Sequence, residues 1–324
     1  MGLRFTDLFC GVGGFRIALE AIGGECVFSS DIDENCRKTY FENFGEYSKG
    51  DIKEIAADDI PDHDVLCAGF PCQPFSISGK QKGFEDTRGT LFFEILRIIR
   101  KKKPSVVFLE NVKHLYYHDS GKTLKVILHC LEAEGYTVSF NICNATDYSL
   151  PQNRERIILI GSRNGKKFDF ESVEKKKAKP LKYYLEEKDA FEFLRPDEYV
   201  LLENTTRQKS GLIFAGYRKK NIRQRGALKE NLHHSRTHRQ PNRIYSVEGY
   251  HPTLTSQETS GRFFILLPDD TVRKMTLKEC WRIMGFPEDF KNPCSKTVQY
   301  KQLGNSVCIP MIASIGNAIK KQLF

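Results

Sequence analysis

Apolar residues in the first half of the chain alternate between short continuous runs and segments with helical spacing. Residues 3–9 predict a strand that leads into the glycine-rich turn 11–14, after which Phe15, Leu19 and Ile22 recur on one face of a helix. Further strands are predicted at 25–30, 65–69, 106–109, 138–142 and 157–160, and further helices at 92–99 and 124–131. This alternation predicts an α/β fold with a doubly wound sheet, which the last two strands close as an antiparallel hairpin.

The pattern changes near Lys175, where a charged linker begins. Short strand-like pieces then lie among polar loops, and they predict a second, smaller domain. Thr276 and Glu279 have the spacing of a capping box, which predicts the start of a helix. A last amphipathic helix is predicted from the isoleucines at 312, 315 and 319.

A cysteine, an acid and two arginines lie close to the ends of predicted strands, where sheets of this kind have their active sites. Cys72 follows the strand at 65–69 in a turn bracketed by prolines, and Glu110 ends a later strand. Parallel α/β sheets place ligand sites beyond the carboxyl ends of their strands, so both side chains are expected at one edge. Arg154 and Arg156 precede the next apolar run. A buried, inert thiol is the more common fate of a lone cysteine, and only the combination indicates a catalytic site.

Charge favours a polyanionic partner. The 324 residues carry a formal net charge of +9, with a pI near 8.9. The segment 218–243 has Glu230 as its single acid among many bases, and its amides and histidines are suited to contacting base edges. The ten cysteines include no C-x-x-C pair, so neither a disulfide scaffold nor a metal site is predicted. No signal peptide or membrane span is recognisable, and a cytoplasmic protein is expected.

Five motifs, taken in their order, resemble those of a known family. They are Asp7-Leu-Phe-Cys-Gly-Val-Gly-Gly-Phe15, Gly69-Phe-Pro-Cys-Gln-Pro-Phe-Ser76, Glu110-Asn-Val112, Gln152-x-Arg154-x-Arg156 and Gly304-Asn-Ser-Val307. Together they look like the motif set of the DNA (cytosine-5)-methyltransferases, with the spacing of the small bacterial restriction-modification enzymes. The resemblance spans nearly the whole chain and fades between about Pro180 and Ser235.

The resemblance implies a Rossmann-like class I methyltransferase sheet with a small, mainly β or irregular target-recognition domain. Residues 1–180, completed by 302–324, would form the catalytic and cofactor-binding domain. Residues 181–276 would form the DNA target-recognition domain, and 277–301 a hinge back to the large domain.

S-adenosyl-L-methionine is the cofactor that the resemblance implies, and the glycine turn agrees with it. The turn lacks the third glycine of G-x-G-x-x-G, as expected for a ligand without a pyrophosphate, and so favours this cofactor over NAD. Asp31, at the end of the second strand, is expected to bind ribose hydroxyls, and Asp51 to lie near the adenine amino group. By the family pattern, the cofactor pocket comprises Phe9, Gly11, Gly13, Gly14, Asp31, Ile32, Asp51, Ile52, Pro71, Leu91, Asn305 and Ser306.

The family mechanism assigns a role to each candidate catalytic residue. Cys72 would attack C6 of a cytosine, because C5 alone is too weak a nucleophile to accept a methyl group. Glu110 would hold N3 and the exocyclic amine. Arg154, and less directly Arg156, would stabilise negative charge on the carbonyl side and help keep the thiol ionised.

The target carbon lies inside the DNA stack, so the base must be flipped out of the duplex. By position, Ser78 and Gln240 match the side chains that fill the gap in the family. Arg243 and Thr253 match residues that hold the phosphates around the flipped nucleotide. The expected partner is double-stranded DNA, bound by a monomer, with a restriction endonuclease for the same sequence as a further partner.

Two alternatives remain open at this stage. An RNA (tRNA) cytosine methyltransferase would use the same motifs, although the Cys-Phe-Thr tripeptide of that branch is absent from this sequence. A catalytically inactive DNA-binding module would keep the fold, but it would tolerate the loss of Cys72. The sequence does not predict the DNA recognition site, because side chains cannot be assigned to bases without groove geometry.

Overall fold

The computed structural model describes residues 2–70, 91–219, 242–256 and 263–324. Its main feature is a six-stranded sheet. The strands of this sheet are β1 (Arg4–Leu8), β2 (Glu25–Ser30), β3 (Val65–Gly69), β4 (Val106–Val112), β5 (Thr137–Asn144) and β7 (Glu155–Ser162), and a two-residue strand β6 (Gln152–Asn153) lies just before β7. Their order across the sheet is β2-β1-β3-β4-β7-β5.

The directions of the strands confirm the doubly wound sheet. β1 pairs in parallel with both β2 and β3, and β3 pairs in parallel with β4. β7 runs antiparallel to β4 and to β5, so the predicted antiparallel closure is confirmed as well. β2 lies on one side of β1 and β3 on the other, so the strand order changes direction at β1. A crevice opens there, at the carboxyl ends of these strands.

Seven α-helices accompany the strands within the described residues. They are α1 (Gly14–Glu20), α2 (Glu34–Phe44), α3 (Leu91–Lys102), α4 (Lys122–Ala133), α5 (Leu277–Arg282), α6 (Lys296–Asn305) and α7 (Ile309–Leu323). The predictions did not include α2 and α6. Their apolar pattern is weak: among the residues of α2 only Thr39 and Tyr40 are buried.

Both faces of the large sheet are covered, because successive strand residues enter opposite hydrophobic cores. Phe108 of β4 joins Phe15 of α1 and Ile315 of α7 in one core. Its neighbour Leu109 joins the other core, together with Ile95 of α3 and Ile127 of α4 and others. This arrangement explains why the parallel strands read as continuous apolar runs rather than as alternating ones.

A second sheet of five strands forms farther along the chain. Its strands are β8 (Tyr199–Leu201), β9 (Phe214–Arg218), β10 (Arg243–Ser246), β12 (Phe264–Leu266) and β13 (Val272–Lys274), in the order β13-β12-β10-β9-β8. The remaining strand, β11 (His251–Pro252), pairs in parallel with β6. This separate sheet agrees with the predicted small β part of the fold, while the domain boundaries at 181 and 276 stay a prediction. Across the described residues, no helix is long and apolar enough to cross a membrane.

A buried ion pair joins the second sheet to α5. Arg273 of β13 donates two hydrogen bonds to Glu279, at 2.9 and 2.6 Å, and both side chains are almost completely buried. Glu279 also accepts the backbone N–H of Thr276 at 2.8 Å, while the Thr276 hydroxyl accepts the N–H of Glu279 at 3.1 Å. The predicted capping box is therefore confirmed, and it shares its acid with the ion pair.

We expect Arg273→Met to lower the free energy of unfolding by about 3–5 kcal/mol, because the substitution leaves the Glu279 carboxylate buried without its cation. Arg195→Met is the matched control. Arg195 lies in an exposed pair with Asp197, and its loss is expected to cost less than about 1 kcal/mol. Urea denaturation at pH 7 measures both, and equal losses would contradict a structural role for the buried pair.

Candidate active site

A cavity of about 650 Å³ opens at the carboxyl ends of β1, β2, β3 and β4, a volume typical of small-molecule sites. Phe9 after β1, Asp31 after β2 and Phe70 after β3 line it, as do Glu110 and Val112 of β4. The crevice created by the strand order therefore holds the cavity, and residues from separate motifs meet there.

The glycine turn after β1 brings backbone to the wall of the cavity. Phe9, Gly11 and Gly13 all have positive φ values, of 56°, 55° and 87°, a region that suits glycine and is rare for phenylalanine. A Cβ placed on Gly11 would meet no heavy atom within 4 Å. The backbone at Gly11 thus faces open space, and a ligand can approach it closely.

Asp31 is held in place by the turn that it faces. One carboxylate oxygen accepts the backbone N–H of Gly11 at 2.7 Å, and the other accepts that of Asp33 at 2.8 Å. Burial raises the pKa of Asp31, and these hydrogen bonds act in the opposite direction. Each oxygen keeps a further lone pair, so the carboxylate can still accept hydrogen bonds from hydroxyl groups of a ligand.

Most of the predicted cofactor residues line this one cavity. Those that do are Phe9, Gly11, Gly14, Asp31, Ile32, Asp51, Ile52, Leu91, Asn305 and Ser306. Pro71 lies outside the described residues. Gly13 is not part of the described lining, because a Cβ there would come within 2.3 Å of the Phe44 ring rather than face the cavity. Its positive φ is needed at the start of α1, where it is the N-cap residue.

Ile32 and Asp51 give one end of the cavity an apolar surface beside a polar one. The Ile32 side chain is 74% exposed, which is unusual for isoleucine and leaves an apolar face uncovered. Asp51 caps a short 3₁₀ turn by accepting the backbone N–H of Lys53 at 3.0 Å. A flat ring with an exocyclic amine fits such a pair of surfaces.

Glu110 and Arg156 form a buried ion pair at the other end of the cavity. The two atoms, Arg156 Nε and Glu110 Oε1, are 2.9 Å apart. Burial raises the pKa of the Glu110 carboxyl, and the positive charges of Arg156 and Arg154 partly oppose this rise. A carboxyl with a raised pKa holds a proton more readily than an exposed one does, which suits it to general acid–base chemistry.

Arg154 has different surroundings from Arg156. It is 1% exposed, and it donates to the backbone carbonyl oxygens of Leu254 at 2.9 Å, Gly304 at 2.8 Å and Ser306 at 2.7 Å. Burial lowers its pKa to about 9, which still leaves the guanidinium charged at pH 7. The resemblance implies a more direct role for Arg154 than for Arg156, yet it is Arg156 that contacts the Glu110 carboxylate.

Comparison with known proteins identifies the family of this chain. A family model described as C-5 cytosine-specific DNA methylase matches residues 3–321. The chain belongs to the C-5 cytosine-specific DNA methylase family.

Individual relatives agree with that assignment. The type II methyltransferase M.HhaI of Haemophilus parahaemolyticus is 43% identical over 329 residues, which cover 99% of this chain and 95% of the relative. M.DsaV of Dactylococcopsis salina is 39% identical and covers 97% of this chain and 84% of the relative. The structure of the S. pombe Dnmt2 methyltransferase matches with a TM-score of 0.69, over 100% of both chains, at 20% identity, which shows a shared fold.

The family predicted from five motifs is thus confirmed. This methylase is an enzyme that methylates C5 of cytosine in DNA with S-adenosyl-L-methionine as its cofactor. The cavity fits that cofactor, since it joins acceptors for ribose hydroxyls at Asp31 to the apolar surface of Ile32 and includes no full phosphate-binding motif.

The candidate DNA-side residues of the methylase are only partly described. Cys72, Ser78 and Gln240 lie outside the described residues. Arg243 and Thr253 lie together at a small cleft in the second sheet region. The Thr253 hydroxyl donates to the carbonyl oxygen of Asn153 at 2.7 Å, so its one hydrogen is already used. A phosphate at Thr253 would have to displace this bond or use the backbone N–H.

Asn111 is a site residue whose role the sequence analysis did not assign. Its side-chain amide donates to the carbonyl oxygen of Phe70 at 2.8 Å, and both residues line the cavity. Phe70 is the last described residue before the segment that contains Cys72. Asn111 therefore holds the backbone from which the cysteine turn departs. Its position inside the motif Glu110-Asn-Val112 was the available signal.

Another buried carboxyl belongs to Asp7, in strand β1 just before the glycine turn. It is fully buried, and among the described residues neither carboxylate oxygen has a hydrogen-bond partner within normal distance. The backbone N–H of Arg16 is near enough to lower the pKa of Asp7 in part. Burial raises the pKa of Asp7 to about 8. The folded protein therefore binds a proton at Asp7 that the unfolded chain has already lost between about pH 4 and pH 8.

Asp7→Asn is expected to remove this pH dependence. In the unmodified methylase, Asp7 makes stability fall as pH rises from about 4 to 8, by about 1.4 kcal/mol per pH unit. The free energy of unfolding of the variant, from urea titrations at several pH values, should fall less steeply by that amount. Asp58→Asn, which removes an exposed carboxylate, is the control. Parallel curves for Asp7→Asn and the unmodified protein would contradict the raised pKa.

Proposed function

We propose that this methylase modifies one cytosine within a short, specific sequence of double-stranded DNA, by base flipping and covalent attack of Cys72 on C6. The proposal rests above all on one observation: the Glu110–Arg156 pair and the Asp31 glycine turn line the same cavity. Cofactor and target base would thus share one enclosed space. The type II names of the relatives support a specific DNA sequence as the target.

The cofactor end would be held by residues of the described lining. Asp31 would accept the ribose hydroxyls, Ile32 would cover one face of the adenine, and Asp51 would accept its amino group. When bound, the cofactor supplies an electrophilic methyl group on a sulfonium. Asn305 and Ser306 at the end of α6 would close the pocket.

At the base end, Cys72 would act as the nucleophile. Its thiolate forms a bond to C6, and the electron pair of the C5–C6 double bond becomes available at C5. C5 would then take the methyl group, while the bond between that methyl group and the sulfonium sulfur would break and S-adenosylhomocysteine would leave. Loss of the C5 proton to a base restores the double bond and expels the thiolate. These reaction steps need no oxidant or reductant.

Glu110 and Arg156 would stabilise the charge that this attack creates. Arg156 Nε engages one oxygen of Glu110, and the other oxygen would accept hydrogen bonds from N3 and the exocyclic amine. A thymine carries a carbonyl at the latter position and would face the carboxylate unfavourably, so the same group selects cytosine. Arg156 lies close enough to Glu110 to share in stabilising charge on the carbonyl side of the ring.

DNA would lie across the cavity mouth. Ser78 and Gln240 would fill the gap left by the flipped base, and Arg243 and Thr253 would hold the neighbouring phosphates. The basic segment 218–243 would add phosphate contacts, which makes binding depend on salt. We propose a monomer that acts in the cytoplasm, with a restriction endonuclease for the same sequence as a further partner.

Glu110→Gln should lower kcat by about 10²–10⁴-fold, because an amide cannot supply a proton to N3. Affinity for DNA should change much less, since phosphate contacts supply most of it. Single-turnover methylation and duplex binding separate the two effects, with Glu171→Gln, an exposed surface residue, as the control. A loss of DNA affinity with unchanged kcat would contradict the assigned role.

Expression in a host that lacks cytosine methylation tests the proposed function as a whole. Bisulfite sequencing of the genome should reveal 5-methylcytosine at one short motif, and Cys72→Ala should abolish it. The unmodified protein should also remain covalently attached, after denaturation, to DNA that carries 5-fluorocytosine at the target, while the variant should not.

Other outcomes point to the alternatives. Methylation of bulk tRNA without a genomic mark would replace DNA by RNA as the substrate. DNA binding without methylation of either nucleic acid would indicate an inactive module. Full methylation by Cys72→Ala would overturn the covalent mechanism.

A further inference from the structure

Three consecutive residues, Gln152 to Arg154, fasten the segment that carries Thr253. The Gln152 side-chain oxygen accepts the backbone N–H of Leu254 at 3.0 Å. The backbone oxygen of Asn153 accepts the Thr253 hydroxyl at 2.7 Å, and Arg154 donates to the carbonyl oxygen of Leu254 at 2.9 Å. The side chain of Gln152 also reaches the carbonyl oxygen of Ile283, at 3.2 Å. Both backbone groups of Leu254 are thus held by side chains from a segment about one hundred residues earlier.

The guanidinium of Arg154 also hydrogen-bonds the backbone at the cofactor end of the cavity. Its second terminal nitrogen donates to the carbonyl oxygens of Gly304 and Ser306, which flank Asn305. Asn305 and Ser306 both line the cavity. One side chain, Arg154, therefore bridges the proposed phosphate-contacting segment and the segment that closes the cofactor pocket.

Backbone packing joins these two segments independently of Arg154. A Cβ placed on Gly304 would lie 2.1 Å from the backbone nitrogen of Ser256 and 2.2 Å from the carbonyl carbon of Thr255. No side chain can fit between two backbones at such distances, so only glycine permits the approach. The two segments are in direct contact on one side and share a cation on the other.

A planar guanidinium in this position transmits small displacements. Its donors have fixed mutual directions, and its hydrogen bonds to carbonyl groups are charge-assisted. Water cannot replace a lost bond easily, because Arg154 is almost completely buried. If DNA shifts or orders the 253–256 segment, the carbonyl groups at 304 and 306 must adjust, and a bound cofactor restrains them in turn.

We propose that Arg154 is a positioning residue that couples cofactor binding to DNA binding. The proposal rests on the proposed function, since it takes Thr253 to face DNA and Asn305 to face the cofactor. Arg156, two residues later, pairs with Glu110 and donates to the carbonyl oxygen of Glu155, and within the part of the chain that the structure describes it hydrogen-bonds neither segment. The two arginines therefore have different proposed roles: Arg154 links the two binding sites, and Arg156 acts at the target base.

Calorimetric titration measures this coupling directly. The probes are S-adenosylhomocysteine, which binds without reacting, and a short duplex that contains the motif found by bisulfite mapping. In the unmodified protein, each ligand should tighten the binding of the other by the same factor, in the range of about 5–150-fold. In Arg154→Lys, a single ammonium cannot hold all three carbonyl groups in a fork, and the factor should fall close to one.

Arg156→Lys is the matched control, with the same chemical change two residues away. It should slow methyl transfer but keep the coupling factor of the unmodified protein. A general weakening of the structure would lower both single affinities and leave their mutual enhancement unchanged, so the factor distinguishes positioning from mere folding support. A factor that Arg154→Lys leaves intact would overturn the proposal.

Gly304→Ala provides a second, independent variant. The added methyl group would push the 255–256 backbone away while the guanidinium remains, and the coupling factor should again fall. If Arg154→Lys does not fold, Gly304→Ala tests the proposal alone. A coupling factor in Gly304→Ala equal to that of the unmodified protein overturns the proposal. An unmodified protein that binds both ligands with a factor of one would also overturn it. Failure of the unmodified protein to bind either ligand would instead overturn the proposed function, and this proposal with it.

Discussion

The guanidinium of Arg154 is almost completely buried, and a buried charge costs several kcal/mol unless suitable groups surround it. The chain meets this requirement with backbone carbonyl oxygens from Leu254, Gly304 and Ser306. Three stretches that are far apart in sequence must therefore come together for the charge to be satisfied. Arg154, Gly304 and Ser306 also line the cavity, so the meeting of these stretches forms part of its wall.

Glu110 is likewise a buried ionisable group that depends on a partner, although its burial is less complete. Burial opposes ionisation of its carboxyl, and the pair with Arg156 opposes the effect of burial. The balance leaves a group whose protonation responds to what binds beside it. An exposed carboxylate would be less responsive, and a buried one without a cation would hold its proton more firmly.

The sheet explains why these groups meet at one place. Parallel strands deliver their carboxyl ends to one edge, and the change in strand order on either side of β1 opens the crevice there. Asp31 and the glycine turn follow strand ends, and Glu110 lies two residues before the end of β4. None of them needs a long loop to reach the cavity, so their positions follow from a rigid scaffold rather than from loop conformation.

Local sequence determined much of this architecture. The strands of the six-stranded sheet and four of the helices followed from apolar periodicity. The glycine turn followed from the backbone conformations that only glycine adopts easily, and the capping box from the unpaired N–H groups at a helix start. Asp31 and Glu110 could be placed in advance because a residue at the end of a parallel strand has a known location.

Tertiary structure alone decided the rest. The helices α2 and α6 carry too few apolar residues for a clear period, and the pairing of β6 with β11 joins two residues to two others about a hundred positions away. Arg154 and Arg156 look alike in sequence, yet one contacts three carbonyl groups and the other a carboxylate. Gly13 likewise turned out to border a phenylalanine ring rather than the cavity. Each of these outcomes depends on which distant atoms surround a side chain, and no local pattern encodes that information.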